Sequence, residues 1–142
     1  MRRRHYADTS VAIPLVLASH DRHEHVNRLV GSRRLHLSGH AVVETFAVLT
    51  RLPGDARLDA ADALALLAER FARVVDADVV EPFAAIGALA EVGIVGGAVY
   101  DGLVALAASA TANSVLLSRD LRASATYARL GVRVELLADA TG

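Results

Sequence analysis

Four acidic residues stand in apolar surroundings: Asp8, Glu44, Asp101 and Asp120. Asp101 lies near the start of residues 97–108, a run that is otherwise apolar on every side, and a helix without a polar face belongs in a core. A carboxylate in a core is costly unless something positive meets it. The neighbouring segments offer no Arg, and the chain contains no Lys. Glu44 sits among Ala41, Val42, Val43, Phe46, Ala47 and Val48. Its charged neighbour on that helix face is Arg51, too far along for an i,i+4 pair. Asp8 and Asp120, taken singly, read as turn or helix-capping residues. Clustered carboxylates repel, and their pKa values rise unless a cation is present. An all-oxygen donor set, with no Cys and no suitably spaced His, suits Mg²⁺ or Mn²⁺. The matching chemistry is phosphate-ester hydrolysis, because such an ion polarises a phosphoryl oxygen and acidifies water.

Bringing four acids together is a task for the backbone. Residues 3–7 predict a short strand ending at Asp8; Thr9 or Ser10 then caps a helix to about residue 19, with Pro14 in its early turns. A helix at 23–30 is closed by Gly31, and a short strand follows at 35–37. Ser38-Gly39-His40 opens a helix at 40–52, stopped by Pro53-Gly54. Asp59 caps a helix at 60–73, and the apolar pairs Val74-Val75 and Val79-Val80 predict a strand and a turn. Pro82 starts a helix to about Glu91. The central helix covers 98–111, a buried strand 114–118, and a helix 120–130 that Gly131 closes. The last strand is 132–136, and the tail beyond it is expected to fray.

Short, apolar, β-branched strands that alternate with helices predict a three-layer α/β/α fold around a mostly parallel sheet. Nothing in the chain marks a boundary, so residues 1–142 read as a single domain. Sites in such sheets lie beyond the carboxyl ends of the strands. Asp8 follows the first strand and Asp120 the strand at 114–118, while Glu44 and Asp101 occupy first turns of helices. All four acids are thereby directed to one rim.

Composition narrows the chemistry. The 15 basic residues are all Arg, against 16 acids, so net charge does not announce a nucleic-acid binder and any such surface must be local. The lack of Lys removes every lysine-dependent mechanism, and the lack of Cys removes disulfides, thiolate zinc sites and a thiol nucleophile. Arg2 to Arg4 followed by residues 11–18 imitates a signal peptide, but Asp8, Thr9, Ser10 and Pro14 interrupt it. Glu91 and Asp101 divide the apolar stretch 83–112, so no membrane span is expected. We read the protein as cytoplasmic.

The order Tyr6-Ala7-Asp8-Thr9-Ser10, Val43-Glu44-Thr45, Tyr100-Asp101-Gly102-Leu103-Val104-Ala105 and Leu116-Leu117-Ser118-Arg119-Asp120 resembles the PIN-domain family, in particular the VapC-type toxins of toxin–antitoxin pairs. The resemblance spans essentially the whole chain. It implies a Mg²⁺-dependent endoribonuclease in which Mn²⁺ substitutes, usually a homodimer, silenced by a VapB-type antitoxin. Carried over by position, Asp8, Glu44, Asp101 and Asp120 match the acidic quartet. Ser118 matches the hydroxyl before the last acid, and Thr9 or Ser10 the hydroxyl after the first. Asp8 and Asp101 would then hold the principal metal; Glu44 and Asp120 would complete its shell, help hold a second ion, or orient the attacking water. Gly102 departs from the family, where Ala is commoner.

Arg2, Arg3, Arg4, Arg33, Arg34, Arg119, Arg122 and Arg129 are candidates for RNA phosphate contacts, with Arg119 and Arg122 favoured because they flank the acid rim. His20, His23 and His25 fit no zinc spacing and read as a polar turn and helix start. Tyr100 and Tyr127 have the chemistry to stack bases, but core packing is the simpler role. The helices at 40–52 and 60–73 form a hairpin whose apolar residues, among them Leu64, Leu67 and Phe71, serve either the interior or dimer and antitoxin contacts. Two rival functions remain. A receiver or aspartyl phosphatase would need a lysine beside its strand-end Asp, and this chain has none. A non-catalytic PIN-fold interaction module would have no use for all four acids.

Overall fold

The computed structural model describes residues 2–137; the expected fraying tail lies outside the described residues. Three strands, β1 (Arg4–Ala7), β2 (Ser114–Ser118) and β3 (Val134–Leu136), form one parallel sheet in the order β1-β2-β3. Seven α-helices build the layers on it: α1 (Thr9–Val16), α2 (His23–Val30), α3 (Gly39–Arg51), α4 (Ala60–Arg70), α5 (Pro82–Glu91), α6 (Ala98–Ser109) and α7 (Leu121–Arg129). The expected three-layer α/β/α architecture is the observed one. α1 packs on β1 and β2, α6 packs on β2, and α7 lies against α6. The core is aliphatic, centred on residues such as Val11, Leu15, Leu116 and Leu117.

Two predicted strands are reduced. The 35–37 segment makes a single parallel bridge, His36 to Tyr6, at the outer edge of β1. The backbone bonds Ala7 N to His36 O and His36 N to His5 O exhaust the pairing, because Ser38 already turns the chain into α3 by accepting from Ala41 N at 3.1 Å. The Val74–Val80 stretch forms no strand. It is a 3₁₀ turn at Asp76–Asp78, held by the Asp78 side chain. Asp78 is 1% exposed; one oxygen accepts from Tyr6 Oη at 2.6 Å and the other from Val75 N at 2.9 Å. That bond pins the turn to β1.

The helix ends follow their residues. Asp59 caps α4 through Asp62 N, Pro82 opens α5, and Gly31 closes α2 with φ 63°. The cap of α1 is Asp8 itself, which accepts from Ser10 N, rather than Thr9 or Ser10. Pro14 inside α1 brings no N–H to the carbonyl of Ser10, four residues back. That carbonyl accepts Arg119 Nη1 at 3.3 Å instead, so a break in the helix ladder ties α1 to the end of β2.

Gly102 has a packing reason. A Cβ built there would lie 2.5 Å from Leu89 Cδ2 and 3.1 Å from Cδ1, so the Leu89 side chain, which is 1% exposed, would have to shift within the core. Gly102 lets α5 and α6 approach. Gly102→Ala is therefore expected to destabilise by about 1–2 kcal/mol, since overpacking outweighs the roughly 1 kcal/mol helix preference for Ala. With Leu89→Ala already in place, the same substitution should stabilise by about 0.5–1 kcal/mol. Urea unfolding of the four proteins measures the change of sign. The same sign on both backgrounds would sink the contact.

Candidate metal-dependent hydrolytic site

Asp8 is the fixed point of the rim. It is 5% exposed at the end of β1, and both its oxygens are bound. Oδ1 accepts from Ser10 N at 3.1 Å and Ser10 Oγ at 2.5 Å; Oδ2 accepts from Ser118 Oγ at 2.5 Å and Tyr127 Oη at 2.8 Å. The two serine hydroxyls also accept from the loop after β2, Ser10 Oγ from Arg119 N at 2.8 Å and Ser118 Oγ from Asp120 N at 3.1 Å. Each hydroxyl thus donates to the acid and accepts from the backbone after β2. The clasp joins the loops that follow β1 and β2. Of the two hydroxyls proposed after the first acid, Ser10 makes these bonds. Thr9 makes none of them.

Tyr127 packs in the core as its sequence suggests, and it is fully buried. Its hydroxyl gives it a second role, toward Asp8. Burial raises the phenol's pKa, and the Asp8 carboxylate raises it further. The available signal was its position on the inward stripe of α7, with Ala123 and Thr126.

Asp101 meets the other three acids electrostatically. Its pKa is raised first by burial, then by the charges of Asp120, Asp8 and Glu44, with Arg122 acting in the opposite direction. The four predicted acids therefore share one field. Arg122 supplies the cation that the segments next to Asp101 lack. Asp120 caps α7, as its sequence suggested: Oδ1 accepts from Arg122 N at 2.9 Å and Ala123 N at 3.3 Å, which leaves Oδ2 outside the cap. Glu44 is partly exposed and faces His40, one turn earlier on α3, with Nε2 and Oε2 3.4 Å apart. His40, not Arg51, is its side-chain neighbour on the helix.

Among the described residues, no three acids or imidazoles are gathered tightly enough to cage a metal ion as they stand. The donor set nonetheless fits a hard cation. It is all carboxylate, its charges repel, and its geometry is an open rim; Mg²⁺ keeps several waters and takes few protein ligands. The histidine segment behaves as a turn and helix start: His20 Nδ1 accepts from Arg22 N, and His23 Nδ1 lies 2.8 Å from Pro14 O.

Two other surfaces bear on function. Arg2, Arg3, Arg4, Arg33 and Arg34 line a cavity of about 580 Å³ with His5 and His36, around the start of β1. Burial and the neighbouring guanidinium groups lower the pKa of both imidazoles. Between α3 and α4 runs an apolar groove of about 570 Å³, lined by Val43, Phe46, Leu64, Leu67 and Phe71 among others, with none of the four acids in its wall. Leu67 and Phe71 are buried there, while Leu64 is exposed.

Known proteins resemble this chain in sequence and in fold. The model of the PIN domain matches residues 6–129. Ribonuclease VapC27 of Mycobacterium tuberculosis is 47% identical over 133 residues, covering 92% of this chain and 95% of that protein. Ribonuclease VapC40 of the same species is 42% identical over 131 residues, covering 92% and 96%. Among solved structures, the DNA-bound VapBC of Salmonella typhimurium superposes with a TM-score of 0.63 at 20% identity, covering 96% of this chain and 99% of that one. VapBC2 of Rickettsia felis, bound to a promoter DNA fragment, gives 0.59 at 13% identity, covering 95% and 98%. At those identities the two structures bear on the fold alone.

Proposed function

The chain belongs to the PIN-domain family, and from that premise we propose that it is a VapC-type endoribonuclease toxin held inactive by a VapB-type antitoxin. What supports the reading is the hydrogen-bonded Asp8 at the end of β1, together with the repulsion from Asp120, Asp8 and Glu44 that, after burial, raises the pKa of Asp101. We assign the four acids to a divalent cation, Mg²⁺ with Mn²⁺ as substitute. That cation would supply Lewis-acid polarisation of the phosphoryl oxygen and a water of lowered pKa.

The chain's own residues do the rest. Ser10, Ser118 and Tyr127 orient Asp8. Asp101 accepts no hydrogen bond among the described residues, and its raised proton affinity suits it to a cation or to the proton of an attacking water. Glu44 and the uncapped Oδ2 of Asp120 would orient that water. In-line attack at phosphorus breaks the P–O3′ bond, leaving a 5′-phosphate and a 3′-hydroxyl.

Arg122 stands at the rim, and the Arg2–Arg4 and Arg33–Arg34 cavity offers a second run of guanidinium groups for the RNA backbone. Arg119 is occupied in part by Ser10. The α3–α4 groove has the apolar character that an antitoxin segment would cover. A second copy would bury the exposed apolar face of α5, Phe83 and Ile86. No helix among the described residues is long and apolar enough to cross a membrane; the ribonuclease reading would have the protein act in the cytoplasm, where cellular RNA is.

The test is cleavage of a panel of structured RNAs by protein free of antitoxin. Cutting is expected with Mg²⁺ or Mn²⁺, none in EDTA, and recovery when the metal is returned in excess. No cutting together with no Mn²⁺ bound would overturn the nuclease reading and favour an interaction module.

A further inference from the structure

Tyr100 does not do what an aromatic residue in an apolar helix usually does. It is 57% exposed, and its hydroxyl has no partner among the described residues. Its ring stacks on His40, with centroids 5.3 Å apart and planes 18° from parallel. The pair joins α3 to α6, the two helices that carry Glu44 and Asp101. Tyr100 immediately precedes Asp101, and His40 contacts Glu44 one turn further along. A stacked, solvent-facing aromatic pair therefore sits directly beside the acid rim. Packing does not account for it, because core residues of α6 such as Val104 and Ala108 are buried without it.

We propose that Tyr100, backed by His40, is a nucleobase subsite: an unpaired base next to the scissile phosphate stacks on the open face of the pair. This rests on the ribonuclease reading and adds a substrate requirement to it. Every base has a π-face, so stacking tolerates sequence but excludes paired bases, which are already stacked. Cleavage is thereby directed to loops and single strands. His40 keeps the tyrosine ring in plane, and its link to Glu44 couples the seated base to the acids.

The experiment separates binding from cleavage. Short unstructured oligoribonucleotides, with 2-aminopurine placed at each position in turn, are titrated into the protein in EDTA. Quenching is expected at one position. Tyr100→Ala should remove it and weaken binding about tenfold or more, while Tyr100→Phe retains both. His40→Phe, which keeps a ring and drops the contact with Glu44, should also retain the stack. An abasic site at the quenched position should weaken wild type and leave Tyr100→Ala unchanged. No quenched position, no binding by wild type, or an equal loss on intact and abasic RNA would overturn the subsite. Metal-dependent cleavage is scored separately: cleavage without stacking removes this inference and keeps the nuclease, while stacking without cleavage does the reverse.

Discussion

Asp101→Asn is expected to abolish metal-dependent cleavage, by about a hundredfold or more, and at the same time to raise the melting temperature in EDTA at neutral pH. The two effects have one cause. Burial and the charges of Asp120, Asp8 and Glu44 push the folded-state pKa of Asp101 above its unfolded value of 3.8. Between those two values the native state binds more protons than the unfolded state. Stability from this group is therefore full below the unfolded pKa and lost as pH rises through the folded one. Asn cannot ionise and has nearly the same shape. The stability advantage of the variant should be absent at acid pH, grow through that window, and hold constant above it. Mn²⁺ should then reverse the order, since a cation that binds only the native wild type raises its stability by mass action. Calorimetry with EDTA and with Mn²⁺, at acid and neutral pH, reads all of this. A variant that melts below wild type in EDTA would show that the Asp101 charge is not repelled in the fold.

The acids were legible because each breaks a local pattern. Asp101 interrupts an apolar run, Asp8 and Asp120 end apolar strands, and Glu44 sits among aliphatic residues. Strand–helix alternation then sends all of them to one edge. What escaped the sequence is long-range. Tyr127 reaches Asp8 across 119 positions, and Tyr6 reaches Asp78 across 72; no window of local periodicity contains either pair. The 35–37 strand shrank to one bridge because an edge segment pairs on one side only and Ser38 turns it away. Hydropathy averages over a helix and so suggests packing for Tyr100, whereas α6 presents this one aromatic residue to solvent at the position before its acid. The Arg119–Ser10 bond was readable in principle: a proline inside a helix always frees a carbonyl, and the cation after β2 is near in the fold.

Tyr127→Phe tests whether the buried clasp serves the metal or only the fold. The substitution removes one oxygen and leaves the ring in place. Asp8 Oδ2 then loses its 2.8 Å donor in a setting closed to water and keeps Ser118 alone. A hydrogen bond to a charged group contributes about 1.5–3 kcal/mol, so the variant should unfold at lower urea by about that amount. Because burial and Asp8 raise the phenol's pKa, it stays protonated and donating throughout the assay range, and the loss should not vary between neutral and mildly alkaline pH. A purely structural role ends there. If the hydroxyl also aims Asp8 at a cation, Mn²⁺ affinity falls about tenfold or more, as when an outer partner of a ligand is removed. Asp8→Asn then masks the effect: adding Tyr127→Phe to it should cost Mn²⁺ affinity little further, which is the coupling expected of two groups in contact. Unfolding and Mn²⁺ titration of the four proteins separate the outcomes. Lower stability with unchanged Mn²⁺ affinity would confine Tyr127 to the fold, and additive losses in Mn²⁺ affinity would place Asp8 outside the coordination this hydroxyl supports.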